Sequence, residues 1–196
     1  MEASIRRLGF GQILFVGLLS LMIAIRPDVY FGNAGVSQFG ILRSTAALFA
    51  ITFLVGALSM WAVAGALPAS GTRPVRNTLR LSAVLTTGLV VFPAIGDGLI
   101  DHIHIAFAVV LFAVESFFAI WLTARSGRDR ASVTLLVILI AAALASLLAL
   151  CCVLHCKTQA EIAFQLSFNL LLLRLMRRQG DISHTSLLQI GGYTHD

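Results

Sequence analysis

The densest group of reactive side chains lies in the stretch Phe92-Pro-Ala-Ile-Gly-Asp-Gly-Leu-Ile-Asp-His-Ile-His104. It holds Asp97, Asp101, His102 and His104 within eight residues. Carboxylates and imidazoles this close together can trade protons as general acid and base, or ligate a metal that activates water. Glu115 follows, inside an apolar run. On a helix, Asp101, His104 and Glu115 fall within about 60° of one another, and Asp97 joins them only if the helix begins that early. Glu115 lies about 16 Å along the axis from His104, too far to share one metal ion but close enough to line one groove. An ionised carboxylate in a bilayer is costly unless it is paired, protonated or hydrated, which makes Glu115 either a proton or ligand-contact site or a hydrogen-bonded packing residue.

A second group is Cys151, Cys152, His155, Cys156, Lys157 and Glu161. Cys151 and His155, like Cys152 and Cys156, stand one helical turn apart, and soft thiolate and imidazole ligands at that spacing suit zinc or copper. No second CxxC pair and no HExxH support a metal site, and free cysteine also serves as a small apolar core residue. Three clustered cysteines do not make a disulfide framework. His104 and His155 are a conceivable haem pair, yet neither has a companion for a second haem, and no cofactor is strongly implied. Glu161, Gln165 and Asn169 recur at i, i+4 and i+8. That stripe is either interhelical hydrogen bonding or the second wall of a groove whose first wall carries Glu115. Arg43 can pair with Asp28, Asp97 or Asp101, or grip a lipid phosphate.

The elements that position these groups are apolar. The chain has 196 residues, 58% hydrophobic and 12% charged, with mean hydropathy +0.92; an ordinary soluble domain carries about 25% charge. A spanning helix takes roughly 20 apolar residues. The candidates are 8–25, 44–66, 81–96, 102–124, 133–154 and 160–176. The first is longer than a signal-peptide core and no small-x-small site precedes Arg26, so it reads as a retained helix. Small residues on the second helix (Ala46, Ala47, Ala50, Gly56, Ala57, Ala64, Gly65 and Ala66) and on the fifth (Ala141, Ala142, Ala143, Ala145 and Ser146) suit close helix packing.

The cations are one-sided. If all six runs span, Arg6, Arg7, Arg73, Arg76, Arg80, Arg125, Arg128, Arg130, Arg174, Arg177 and Arg178 share one side. The other side keeps Arg26, Arg43 and Lys157. The bias puts both termini in the cytoplasm of an inner-membrane protein. The arginines flank apolar runs and do not interleave with aromatics on a polar face, which argues against nucleic acid as partner. Residues 1–178 therefore form one all-α integral membrane bundle of six transmembrane helices, and 179–196 a polar cytoplasmic tail. No P-loop, nucleophile elbow or dinucleotide fingerprint appears.

Three features resemble a bacterial membrane family classed as domain of unknown function 998, related to the FRAG/DRAM/Sfk-type six-helix proteins. The segment from Pro27 to Gly40 resembles that family's P…xxSxxG motif, with Ser37 and Gly40 in place. Phe92-Pro93 is followed eleven residues later by His104 and then Ala106 to Phe112. Length and helix number agree. The chain departs at Gln38, where the family carries an acidic residue, and at Glu161, which stands alone where a charged pair opens the last helix. The resemblance implies a fold and no established activity.

The reading is a polar groove open to the non-cytoplasmic leaflet. It is lined by Asp97, Asp101, His104, Glu115, His155, Glu161 and Gln165, with Arg43 near its mouth. Such a groove binds a membrane lipid or small amphipathic ligand, with Glu115 and His104 as anchors. Two alternatives stay open. One is a metal-dependent membrane lipid hydrolase or transferase. The other is a non-catalytic accessory subunit, associated with other membrane proteins or with copies of itself.

Overall fold

The computed structural model describes residues 2–67, 72–95, 98–126, 129–151 and 154–191, with side chains described as far as 178 apart from residues 2 and 4. Asp97, Cys152 and Arg128 lie outside the described residues, as does 192–196. All regular structure among the described residues is helical: α1 Glu2–Ile25, α2 Pro27–Phe31, α3 Gln38–Ile41, α4 Ala46–Ala66, α5 Arg73–Val91, α6 Gly98–Ser126, α7 Arg130–Leu150 and α8 Lys157–Gly191.

Among the described residues, four helices are long and apolar enough to cross a membrane: Ile5–Ile25, Ala46–Ala66, Gly98–Ser126 and Arg130–Leu150. Their outward faces leave large apolar side chains uncovered, with Ile13 75%, Leu58 67% and Phe117 73% exposed. Apolar surface of this kind on every long helix is a lipid-facing surface, and these helices mark the chain as a membrane protein.

The two other long helices are more polar for a structural reason. α5 begins at Arg73, eight residues before the apolar run, because Pro74 opens a helix well with its fixed φ and missing N–H. Arg73, Arg76 and Arg80 are thus on the first turns of α5 and not in a loop. Arg80 lies over the Trp61 ring at 5.6 Å, and Arg125 over Trp121 at 5.2 Å. Both pairs place a cation against an aromatic face at one end of the bundle. α8 packs largely against protein: it meets α1, α2, α6 and α7 and buries Phe164, Phe168, Leu171, Leu172 and Leu175, leaving Leu170 exposed. A helix that meets protein in place of lipid can carry Gln165, Ser167 and Asn169. α8 continues through 179–191, the segment whose composition reads as a tail.

The helices close a ring. α1 packs on α4, α4 on α5, α5 on α6, α7 on α8, and α8 returns to α1. Small residues set several of these approaches: a Cβ on Gly11 would sit 2.0 Å from the Ser59 hydroxyl, so α1 and α4 meet as closely as they do only with glycine there. On α7, Ala142, Ser146 and Ala149 are buried, while Ala145 is half-buried and Ala141 exposed. α6 packs mainly on α5, with smaller and similar contacts to α7 and α8.

Candidate functional site

Three connections meet at one end of the bundle: the loop carrying α2 and α3, the turn between α5 and α6, and the turn between α7 and α8. The α5–α6 turn is tied by His104. Its Nδ1–H donates to the carbonyl of Phe92 at 2.7 Å. That carbonyl follows the last turn of α5 and precedes Pro93, so no helical N–H reaches it. A carbonyl only accepts, which fixes the proton on Nδ1 and leaves Nε2 of the neutral ring as an acceptor.

The first loop docks on the start of α8 through three hydrogen bonds. The Asn33 side-chain oxygen accepts from the Lys157 amide at 3.1 Å, the Thr158 hydroxyl accepts from the Gly35 amide at 3.1 Å, and Glu161 Oε2 accepts from the Val36 amide at 2.6 Å. Helix starts leave orphan N–H groups and irregular loops leave orphan amides of their own, so each element satisfies the other. Gly35 has φ +88°, the left-handed region, and an added Cβ would lie 3.1 Å from both Lys157 Cε and Glu161 Oε2. Glycine is the residue that allows the turn and the approach together.

Beneath this clasp lies a cavity of about 450 Å³. Its polar end has Asp101, His104, Lys157 and Glu161, with Ser37 and Gln38 from the first loop. Its walls are apolar, made by Ile105, Val109 and Phe112 of α6 and Leu144, Leu147 and Leu150 of α7. Val109, Leu144 and Leu147 are about half exposed, so the cavity opens sideways between α6 and α7. A second space of about 60 Å³ adjoins it, sharing His104, Phe112 and Glu161 and reaching Gln165.

The structure thus brings Asp101, His104 and Glu161 together, with Gln165 next to them. It separates the others. Glu115 is fully buried on the face of α6 turned toward α5, with Leu111 and Phe118 on the same stripe. The cavity takes Phe112 and Ser116, about 60–100° farther round the helix. The Ser82 hydroxyl faces Glu115 from α5, and neither Glu115 oxygen has any other hydrogen-bond partner. The shared stripe of His104 and Glu115 holds, but the groove does not extend to Glu115. Arg43 is exposed, does not line the cavity, and pairs with no carboxylate among the described residues. Asp28 is taken by Arg26 instead, at 2.6 Å, which holds the Asp28 carboxyl below its ordinary range through hydrogen bonding.

The cysteine cluster is not on one helix. α7 stops at Leu150, so Cys151, His155 and Cys156 fall in the connection and the one-turn spacing is not realised. Cys151 is exposed, Cys156 half-buried and His155 exposed and off the cavity. No group of three or more His, Cys, Asp or Glu able to hold a metal occurs among the described residues. Within α8 the polar stripe is partly self-satisfied, since Gln165 Nε2 donates to Asn169 Oδ1 at 3.4 Å.

Two contributors escape a reading of the residues alone. Lys157 and the first loop were not expected at the cavity. Asn33-Ala-Gly35 signals a turn, but its partner helix lies about 120 residues away.

The opposite end is held differently. Asp129 caps α7 by accepting from the Ser132 amide at 3.0 Å and forms a salt bridge with Arg174, with Arg178 at 3.4 Å. The Arg174 hydrogen bond, then the Ser132 bond, hold the Asp129 carboxyl well below the usual carboxylate range.

No family model, curated protein or solved structure matches this chain. Its class is therefore stated by the fold alone: an all-helical membrane protein with a laterally open, polar-ended cavity.

Proposed function

We propose that this chain is a six-span inner-membrane protein, with both termini cytoplasmic, that holds a membrane lipid or small amphipathic ligand in the cavity between α6, α7 and the start of α8. The observation that carries the reading is the shape and chemistry of that cavity. It is about 450 Å³, within the range of small-ligand sites, with apolar walls open toward the lipid-facing surface and a polar end closed by the first loop. An acyl chain suits the open side and a headgroup the closed end.

The orientation follows from the arginines. Arg76, Arg80, Arg125, Arg174 and Arg177 belong to the end opposite the cavity clasp, which makes that end cytoplasmic under the positive-inside rule. α5 and α8 then span as well, α5 presenting Leu81, Val84 and Val91 outward and α8 packed largely against its neighbours. The resemblance to the domain of unknown function 998 family implies the same six-helix count and no activity.

Native mass spectrometry of the detergent-purified protein tests this. Bound lipid is expected with the parent, and Ala108→Phe, at a position shared by both spaces, is expected to reduce retention by about tenfold or more through overpacking. Equal retention by a folded Ala108→Phe protein sinks the cavity reading. Reporter fusions at both termini check the orientation.

A further inference from the structure

The polar end is specific enough to choose among headgroups. Asp101 is half-buried and makes no hydrogen bond or ion pair to a described residue. Glu161 commits Oε2 to the Val36 amide, and Oε1 has no such bond. His104, 93% buried by its 7% exposure, spends Nδ1 on Phe92 and keeps Nε2 for the cavity it lines. All three of these are acceptors. Lys157 is the one cation among the cavity-lining residues. An anionic headgroup would meet two acids and one ammonium, an unfavourable balance. A headgroup with both a phosphate and an N–H-bearing cation matches the set: the phosphate faces Lys157 and the ammonium protons face the acceptors.

We propose that the ligand is a zwitterionic amphiphile whose headgroup carries a primary ammonium, phosphatidylethanolamine being the membrane lipid of that chemistry. Its ammonium is held by Asp101, the lining acid with no bond to a described residue, with Glu161 and His104 Nε2 as further acceptors along the same polar end, and its phosphate faces Lys157. A trimethylated ammonium has the charge without the N–H donors, so it binds less well. This assignment rests on the cavity reading above.

The test is competition for the delipidated, detergent-purified protein among phosphatidylethanolamine, phosphatidylcholine and phosphatidylglycerol with identical acyl chains, read by native mass spectrometry. Phosphatidylethanolamine is expected to be retained about tenfold over phosphatidylglycerol, the size of one charge-assisted hydrogen bond, with phosphatidylcholine between them. Asp101→Asn is the informative variant, because Asp101 is bonded to no described residue and its loss leaves the clasp intact. It is expected to lower phosphatidylethanolamine retention to the phosphatidylcholine level. If phosphatidylglycerol equals or exceeds phosphatidylethanolamine, or Asp101→Asn keeps the preference, the headgroup assignment is overturned. When Ala108→Phe still empties the protein in that case, the cavity reading survives it. No retained lipid of any kind, with Ala108→Phe indistinguishable from the parent, removes both.

Discussion

Glu161 and Glu115 are the same residue type inside the same bundle, yet their surroundings are opposite. Glu161 lies in the second turn of α8, where a loop arrives with an unpaired amide, and its carboxylate accepts from Val36 at 2.6 Å. Glu115 lies in the middle of α6, where each backbone N–H is used within the helix, and its buried oxygens are faced by the Ser82 hydroxyl alone. The difference teaches that a polar residue in a membrane helix is held by what the adjoining elements can donate. Helix ends and loops have spare donors, while helix middles have side chains alone. The polar end of the cavity has formed where spare donors and acceptors already gather.

The contrast can be broken first at the clasp. Glu161→Ala removes a charge-assisted bond and strands the Val36 amide, so it is expected to cost about 3 kcal/mol, visible as the largest fall in melting temperature in detergent and as lost lipid retention. Gly35→Ala forces a side chain into the left-handed region against Glu161 and Lys157. It is expected to cost about 1–2 kcal/mol, with Glu161 intact. Glu115→Met goes the other way. Replacing a buried carboxyl that only one hydroxyl faces by an apolar side chain of similar length is neutral or stabilising by about 1 kcal/mol, and lipid retention is unchanged. A fall as large as that of Glu161→Ala would show that Glu115 has a bonding role, and the contrast would collapse.

The smallest effect is at the far end. Asp129 has its folded pKa depressed by Arg174, so its stabilising contribution is present above the unfolded carboxylate value, about 4, and is lost as pH falls through the folded value. Thermal melts of the parent should weaken with acid below about pH 4. In Asp129→Asn that part of the acid sensitivity should be missing. An unchanged acid limb in the variant would mean that the Arg174 contact contributes nothing.

Much of the architecture is legible in the residues because it follows from local physics. Apolar runs placed α1, α4, α6 and α7, and the recurrence of Asp101 and His104 on one helix face gave part of the cavity. What is not legible depends on long-range pairing. Nothing near Asn33 or Gly35 says that they meet α8, and nothing near Glu115 says that α6 is turned to aim it at α5. The start of α5 at Arg73 was hidden for another reason: hydropathy sees charges, whereas Pro74 and the long arginine stems let a helix begin among them. The cysteine spacing was misleading because α7 ends at Leu150, and a one-turn interval has meaning only on a continuous helix.

The three bonds that join residues 33–36 to 157–161 also order events in time. The first loop is made early in synthesis, and its amides stay unmet until α8 has been made and inserted, more than 120 residues later. Contacts of such separation form late, after their loop-closure entropy has been offset by other packing. The roof of the cavity is therefore the last part to assemble. A nascent chain stalled before Lys157 would carry α1 to α7 with an open end, exposed to quality control until the final helix closes it.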